Sequence, residues 1–195
     1  MKSLRSISVL LAIAVSMAGC FEKKETAANS AAGGGETIKV GEIGSMTGSE
    51  ATFGESTHRG IMLAINEINS AGGLNGKKLE LISLDNQGKD DETANATSKL
   101  VSQEKVVALL GEVASKRSQI MAPIAQQGKV PMISPSSTNP KVTEVGDYVF
   151  RVCFIDPFQG EVMAKFAIND LKAKKVAVLR DIANSYSEGL ANAFI

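Results

Sequence analysis

The sequence predicts an α/β fold in which helices cover both faces of a parallel sheet. Short, nearly continuous runs of Val, Ile and Leu indicate strands that are buried on both sides. The segments between them carry apolar residues three and four positions apart, which is the spacing of one helix face. Strands that alternate with helices in this way favour a parallel sheet. With 195 residues, of which 44% are hydrophobic, the chain can bury one sizeable core or begin a second.

Six strands are predicted, at residues 38–43, 79–84, 106–110, 130–133, 148–152 and 176–179. Helices are predicted between or after these strands wherever apolar side chains recur at helical spacing. Those side chains are Ile61, Met62, Ile65 and Ile68; Ile120, Met121 and Ile124; Val162, Met163, Phe166 and Ala167; and Tyr186, Leu190 and Phe194.

Small and polar residues mark the ends of these helices. Gly72-Gly73 follows the first helix as C-terminal glycines do, and the Asn-Gly pair at 75–76 turns the chain into the next strand. Asp156 is expected at the N-cap of a later helix, with Pro157 at its first position.

The first 36 residues indicate export rather than a folded domain. Lys2 and Arg5 precede an apolar run at 7–15, which has roughly half the length that a bilayer-spanning helix needs. Residues 1–19 are therefore predicted to be a signal peptide. Small residues directly before Cys20 resemble a bacterial lipobox, at which the peptide is cut and the thiol lipidated. Residues 20–36, with three consecutive glycines, predict a flexible tether. An ordinary exported protein is the alternative.

Composition and motifs exclude several classes of function. The chain has 21 basic and 21 acidic residues, and nucleic-acid binding requires a basic surplus. The GxGxxG turn of nicotinamide enzymes and the GxxxxGK(S/T) phosphate loop are absent. His58 is the single histidine and is predicted to be a solvated surface residue, so a catalytic base and a Cys/His metal cluster are both missing. Asp85, Asp90 and Asp91 are interpreted as carboxylates of a helix N-terminus rather than a cation site. No enzyme activity, metal or cofactor is expected.

Three predicted strands are each followed by a loop rich in hydroxyl side chains, at 44–54, 111–115 and 134–140. Ligands of open parallel sheets bind where the carboxyl ends of strands meet loops and helix N-termini. The N–H groups at such helix ends favour carboxylates and phosphates. A single Ser or Thr is explained equally well as a helix cap, but three such loops at one edge predict a polar binding cup.

Four segments carry a resemblance to a known family. They are IKVG through Gly48 (38–48), AGGLNGK (71–77), PMISPSST (131–138) and YVFR (148–151), which occur in family order and spacing. Residues 37–195 resemble the type I periplasmic binding proteins that serve ABC importers, specifically the leucine/isoleucine/valine-binding branch. The resemblance implies two α/β lobes, joined by three crossovers, that close on an amino acid.

The resemblance also implies which residues bind the ligand. Hydroxyl and backbone groups of the first lobe hold the α-carboxylate in this family, and by position these are Ser115, Ser136 and Thr138. Phe53 matches an aromatic residue that lies over the ligand, and Tyr186 matches an aromatic contact from the second lobe.

Asp156 lies near the first crossover and is a candidate for binding the ligand ammonium, although the N-cap role explains it equally well. The expected domains are a first lobe at 37–150 and, at 151–195, a crossover with the start of an incomplete second lobe. The last predicted helix reaches Ile195 without a capping signal, so the chain is interpreted as truncated.

The expected function is extracytoplasmic solute binding for an ABC transporter. Such a protein captures a branched-chain or related amino acid and delivers it to a membrane permease. A lipid on Cys20 would hold it to a bacterial membrane on the periplasmic side. A protein of the same fold that reports amino acids or amides to a signalling receptor is the alternative.

Overall fold

The structure is a computed structural model that describes residues 37–195. The predicted signal peptide (1–19), the tether (20–36) and the predicted lipidation site Cys20 lie outside the described residues. Five strands form one parallel sheet in the order β2-β1-β3-β4-β5. They are β1 (Ile38–Gly44), β2 (Leu79–Asp85), β3 (Ala108–Leu110), β4 (Met132–Ser134) and β5 (Val149–Arg151). The predicted fold class, a parallel sheet with helices, is confirmed.

Five α-helices connect or follow these strands. They are α1 (Ala51–Ser70), α2 (Asp90–Lys99), α3 (Ser115–Gly128), α4 (Asp156–Asn169) and α5 (Ser185–Phe194). A π-helical turn at Leu100–Glu104 continues α2, and a short 3-10 helix lies at Pro140–Val142. Within residues 37–195, no helix has the length and apolar character needed to cross a membrane.

Side chains of β1 alternate between two covered faces of the sheet. Gly41 faces the side chains of Leu100 and Leu109, which belong to the core beneath α2 and α3. The next residue, Glu42, points to the opposite face, where its carboxylate meets His58 of α1. The helices therefore lie on both faces, as the sequence predicts.

The hydrophobic core lies between the sheet and the helices α2 and α3. Leu109 and Met132 of adjacent strands are fully buried against Met121 of α3. This packing fixes β3 and β4, whose carboxyl ends carry two of the three hydroxyl loops. The buried core residues are Ile43, Leu100, Val106, Leu109, Met121, Ala122, Ala125, Met132, Val142 and Val149.

The glycine pair after α1 behaves as predicted. Both glycines have positive φ angles, 107° at Gly72 and 83° at Gly73. A Cβ at Gly73 would also lie 2.2 Å from the Lys77 carbonyl oxygen, so a side chain has no room there. Asn75 and Gly76 follow with positive φ angles and turn the chain into β2.

The predicted N-cap of α4 is wrong by one residue. Ile155 is the N-cap, with an extended backbone, and Asp156 is the first helical residue with Pro157 beside it. The Asp156 carboxylate is buried and accepts no backbone N–H of α4. Its backbone N–H instead donates to the Thr138 carbonyl at 2.9 Å, which ties the start of α4 to the loop after β4.

The predicted strand at 176–179 is not formed. The segment is irregular, and Leu179 is fully exposed. A strand requires a neighbour to pair its backbone groups, and no strand of residues 37–195 lies beside this segment. The helices predicted on either side of it, around 162–167 and 186–194, are confirmed as α4 and α5. These two helices pack closely at Gly160, where a Cβ would lie 2.5 Å from the Ala193 carbonyl carbon and a side chain therefore has no room.

Candidate functional site

A buried carboxylate joins the loops at the carboxyl edge of the sheet. Glu112 follows β3 and is only 1% exposed. Its Oε1 accepts hydrogen bonds from the Ser45 hydroxyl at 2.9 Å and the Asn86 amide at 3.1 Å. Its Oε2 accepts the backbone N–H of Ala114 at 2.6 Å. Because Ser45 follows β1 and Asn86 follows β2, one carboxylate ties together the ends of three adjacent strands.

The backbone carbonyl of Glu112 extends this connection to β4. It accepts hydrogen bonds from the hydroxyl groups of Ser118 at 2.9 Å, Ser134 at 2.7 Å and Ser137 at 3.1 Å. Ser134 ends β4, Ser137 lies in the loop after it, and Ser118 belongs to α3. Glu112 therefore connects the loops that follow four of the five strands.

Arg117 of α3 is the cation of this network. Its side chain is 7% exposed, and its Nε lies 3.1 Å from Glu112 Oε1. Nη1 donates to the Gly88 carbonyl at 3.2 Å, and Nη2 donates to the Glu50 carboxylate. The first turn of α3 is thus anchored by ion pairs to two different loops.

An open cavity of about 420 Å³ lies beside this network, within the size range of small-molecule sites. Its walls combine two aromatic rings with hydroxyl, amide and carboxylate groups. The lining residues are Glu50, Phe53, Val113, Ala114, Ser115, Ser136, Asn184 and Tyr186.

The N-terminus of α3 forms the polar end of the cavity. The first hydrogen bond of the helix runs from the Ser118 N–H to the Ala114 carbonyl, so the N–H groups of 115–117 have no acceptor within the helix. The Ser115 hydroxyl accepts the Asn139 N–H at 3.3 Å. Ser115 is 2% exposed, and its own proton is donated to no group of residues 37–195. Such a set of donors favours a carboxylate.

Four of the six sequence-predicted ligand residues line this one cavity: Phe53, Ser115, Ser136 and Tyr186. Phe53 is 64% exposed and Tyr186 is 40% exposed, so both rings are accessible to a bound molecule. The Ser136 hydroxyl donates to the Val113 carbonyl at 3.2 Å, which joins two of the hydroxyl loops at the cavity floor. Residues from distant parts of the sequence are brought together as expected, and their roles in binding stay predictions.

The other two predicted residues, Thr138 and Asp156, are buried outside the cavity lining. Thr138 Oγ1 and the Asp156 carboxylate are buried beside each other, and neither has another hydrogen-bond partner within residues 37–195. Burial raises the pKa of Asp156, against smaller opposing effects of the neighbouring Thr138 hydroxyl and the Arg151 guanidinium. Their predicted contacts with a ligand therefore stay untested.

Sequence reasoning missed Glu50 and Asn184 in the lining. Asn184 had a local signal, because it precedes a predicted helix and caps it: its side-chain oxygen accepts the N–H groups of Tyr186 at 3.0 Å and Ser187 at 3.3 Å. Glu50 lies in the predicted loop at 44–54, but nothing in the sequence singled it out there, since its partner Arg117 is 67 residues away in the chain.

Two further interpretations needed correction. His58 is not simply solvated, because its Nδ1 lies 2.6 Å from the buried Glu42 carboxylate. Asp90 and Asp91 occupy the first turn of α2 as predicted, but Asp85 binds the loop after β1 instead. Burial raises the pKa of Asp85, but hydrogen bonds from Thr47 and from nearby backbone N–H groups outweigh it and hold that pKa below its usual value. Within residues 37–195, no group of three or more His, Cys, Asp or Glu side chains is placed to hold a metal ion.

Comparisons with known proteins agree on one family. A family model described as periplasmic binding protein matches residues 37–194. The chain is 37% identical over 157 residues to a leucine-, isoleucine-, valine-, threonine- and alanine-binding protein of Pseudomonas aeruginosa. This match covers 80% of the chain and 42% of the relative.

Two solved structures show the same fold. A leucine-binding protein from Thermotoga maritima matches with a TM-score of 0.77 and 45% identity, over 81% of this chain and 44% of its own. A branched-chain amino acid transporter substrate-binding protein from Streptococcus pneumoniae, solved with isoleucine, matches with a TM-score of 0.78 and 38% identity, over 82% and 46%. The chain therefore spans less than half the length of these relatives.

The Glu112 network predicts a large effect of a small substitution. Glu112→Gln keeps the size of the side chain but places an amide where Arg117 and several N–H and O–H groups require an acceptor. We expect the free energy of unfolding to fall by about 3 kcal/mol or more, as when one partner of a buried ion pair is removed. Urea unfolding followed by circular dichroism measures this loss.

Glu104→Gln, which removes a partly exposed partner of Lys39, is the matched control and should lower the free energy of unfolding by less than about 1 kcal/mol. Equal losses in both variants would contradict the assigned role.

The buried Asp156 predicts a pH-dependent stability difference. Its pKa is raised above the ordinary 3.8 in the folded protein, so the folded state holds this proton to higher pH than the unfolded chain does. The contribution of this group to stability therefore decreases as the pH rises from about 3.8 through the folded pKa. Asp156→Asn has no titrating group here and does not lose stability in this way. The free energy of unfolding of the variant minus that of the original protein should therefore rise with pH over that window and then level off. Urea unfolding at a series of pH values tests this, with Asp170→Asn at the other end of α4 as the control. A difference that shrinks with rising pH would contradict the prediction.

Proposed function

Because the chain belongs to the periplasmic binding protein family, in its leucine/isoleucine/valine branch, we propose that it captures a branched-chain or related amino acid for an ABC transporter. In this proposal the protein is a binding component rather than an enzyme. It holds the amino acid at the carboxyl edge of the sheet and delivers it to a membrane permease.

The observation that carries this proposal is the cavity beside α3. One end presents Ser115 at the N-terminus of α3, and the Phe53 and Tyr186 rings also line the cavity. The donors suit an α-carboxylate, and the rings suit an apolar side chain. An amino acid with a hydrocarbon side chain has both parts.

Thr138 adds a second hydroxyl for the ligand. Its Oγ1 is buried beside the Asp156 carboxylate and has no other hydrogen-bond partner within residues 37–195. In the proposal, this hydroxyl and that of Ser136 join Ser115 in binding the carboxylate.

The proposed domain plan follows the course of the chain. Residues 37–150 form a first lobe built on the parallel sheet, and residues 151–195 form a crossover and the start of a second lobe. Asn184, the N-cap of α5, and Tyr186 in its first turn reach the cavity, and the first residue of α5 binds the first lobe through a 2.8 Å hydrogen bond from the Asn139 amide to the Ser185 carbonyl. This arrangement supports capture of the ligand between the two parts.

The proposed location is the periplasm, with a lipid on Cys20 holding the protein to a bacterial membrane. The charged start, the short apolar run and the Met-Ala-Gly-Cys junction at 17–20 support export and lipidation. A lipid-anchored binding protein would remain close to its permease.

Substitution of Ser115 tests the capture of the carboxylate. A hydrogen bond to a charged group contributes about 1.5–3 kcal/mol, so Ser115→Ala should weaken leucine binding about ten- to a hundredfold. Titration of the chain with leucine, followed by calorimetry and by the backbone amide resonances of 115–117, measures the effect.

Ser98→Ala is the matched control, because Ser98 is exposed on α2 and, within residues 37–195, its hydroxyl bonds only the Ala94 carbonyl of the same helix, at 2.9 Å. It should leave leucine affinity unchanged. If Ser115 were only a structural residue, Ser115→Ala would lower stability by about 1 kcal/mol without changing affinity, and that result would contradict the proposed site.

Substitution of Cys20 tests the lipid anchor. Cells that express the chain and are fed a fatty-acid analogue should label the original protein and not the Cys20→Ser variant, since only the thiol at the lipobox junction is acylated. Cys153→Ser is the control and should be labelled like the original. Equal labelling of the Cys20→Ser variant would exclude lipidation at this residue.

A further inference from the structure

One charged group in the cavity wall is not used in binding the ligand carboxylate. Glu50 lies directly before α1, lines the cavity and has a side chain that is 42% exposed. Its Oε2 accepts the Nη2 of Arg117. Within residues 37–195, no group donates to its Oε1, which is free to accept a donor from a bound molecule.

The cation beside Glu50 does not neutralise it fully. Arg117 also lies 3.1 Å from the carboxylate of Glu112, so two carboxylates share one guanidinium and the group carries one net negative charge. The neighbouring cation Lys116 is paired with Asp90 at 2.8 Å. Because Glu112 is buried, the carboxylate that meets the cavity is that of Glu50.

The surroundings of Glu50 favour a positive charge in the ligand. Phe53 lies one turn further along, with its N–H donating to the Glu50 carbonyl at 3.0 Å, and its ring shares the cavity with that of Tyr186. The Glu50 carboxylate, in a cavity that these rings also line, thus provides the opposite preference to the N–H groups of α3.

We propose that Glu50 determines ligand specificity by binding an ammonium group, while Arg117 holds its carboxylate in place. The proposal rests on the proposed function, because it requires that the cavity bind an amino acid. The ammonium belongs either to the α-carbon or to a basic side chain, and both present the same chemistry to Glu50. Carboxylic acids that lack an amino group are bound less well.

Two ligand pairs separate these sources. Leucine and 4-methylpentanoate differ only in the α-ammonium, and lysine and norleucine differ only in the side-chain ammonium. Titrations of the chain, followed by its amide resonances, give a ratio of affinities for each pair. Glu50→Gln keeps the size of the side chain and an oxygen for Arg117 but removes the charge. It should lower the ratio for the pair that uses Glu50 about two- to fivefold, the value of a partly exposed charge pair.

Two variants serve as controls. Glu55→Gln removes a carboxylate on α1 that pairs at 3.7 Å with the exposed Arg59, and it should change neither ratio. Glu50→Asp keeps the charge and should retain the preference.

The outcomes are distinct. Wild-type protein that binds both members of each pair equally, or a Glu50→Gln variant that binds with unchanged ratios, overturns the role of Glu50 and leaves the proposed function standing. Failure of all four compounds to bind the wild-type chain overturns the proposed function, and the role of Glu50 with it.

Discussion

The buried carboxylate of Glu112 is the interaction on which the carboxyl edge of the sheet depends. Burying a carboxylate costs several kcal/mol unless donors and a counter-charge surround it. Here Ser45, Asn86 and the Ala114 N–H supply the donors, and Arg117 supplies the charge. These partners come from separate loops, so satisfying one side chain fixes the relative positions of several strand ends. The N-terminus of α3, which follows Glu112 directly, is placed by the same bonds.

The Glu112 network positions both kinds of polar group that line the cavity, the hydrogen-bond donors of α3 and the Glu50 carboxylate. The Glu112 carboxylate occupies the Ala114 N–H, and the next N–H groups of α3 remain for a ligand carboxylate. Its guanidinium partner Arg117 reaches past it to Glu50, which brings a second carboxylate to the cavity wall. One buried group thus positions both the proposed carboxylate-binding end of the cavity and the Glu50 carboxylate proposed to bind an ammonium group. The part of the cavity lined by Tyr186 does not depend on this network. The start of α5 is held there by the Asn139–Ser185 hydrogen bond and is capped by Asn184.

Periodicity and glycine positions predict most of this fold. The five formed strands and the helices that follow them are recognisable because their apolar residues repeat at local spacings, and Gly72-Gly73 is recognisable because few other residues adopt its backbone angles. The prediction of a strand at 176–179 was wrong because a strand depends on a pairing neighbour, which the local sequence does not reveal. The family resemblance assigned four of the cavity residues to the ligand site: Phe53, Ser115, Ser136 and Tyr186. It did not identify the ion-pair network of Glu50, Glu112 and Arg117, since long-range ion pairs leave no pattern in sequence spacing.

A crystal structure of the chain with leucine tests the central claim most directly. The account predicts that the α-carboxylate lies within hydrogen-bond distance of the Ser115 hydroxyl and the first free N–H groups of α3, with the Glu112 bonds unchanged. Leucine bound away from the α3 N-terminus, or bound there by its ammonium group, would contradict the account.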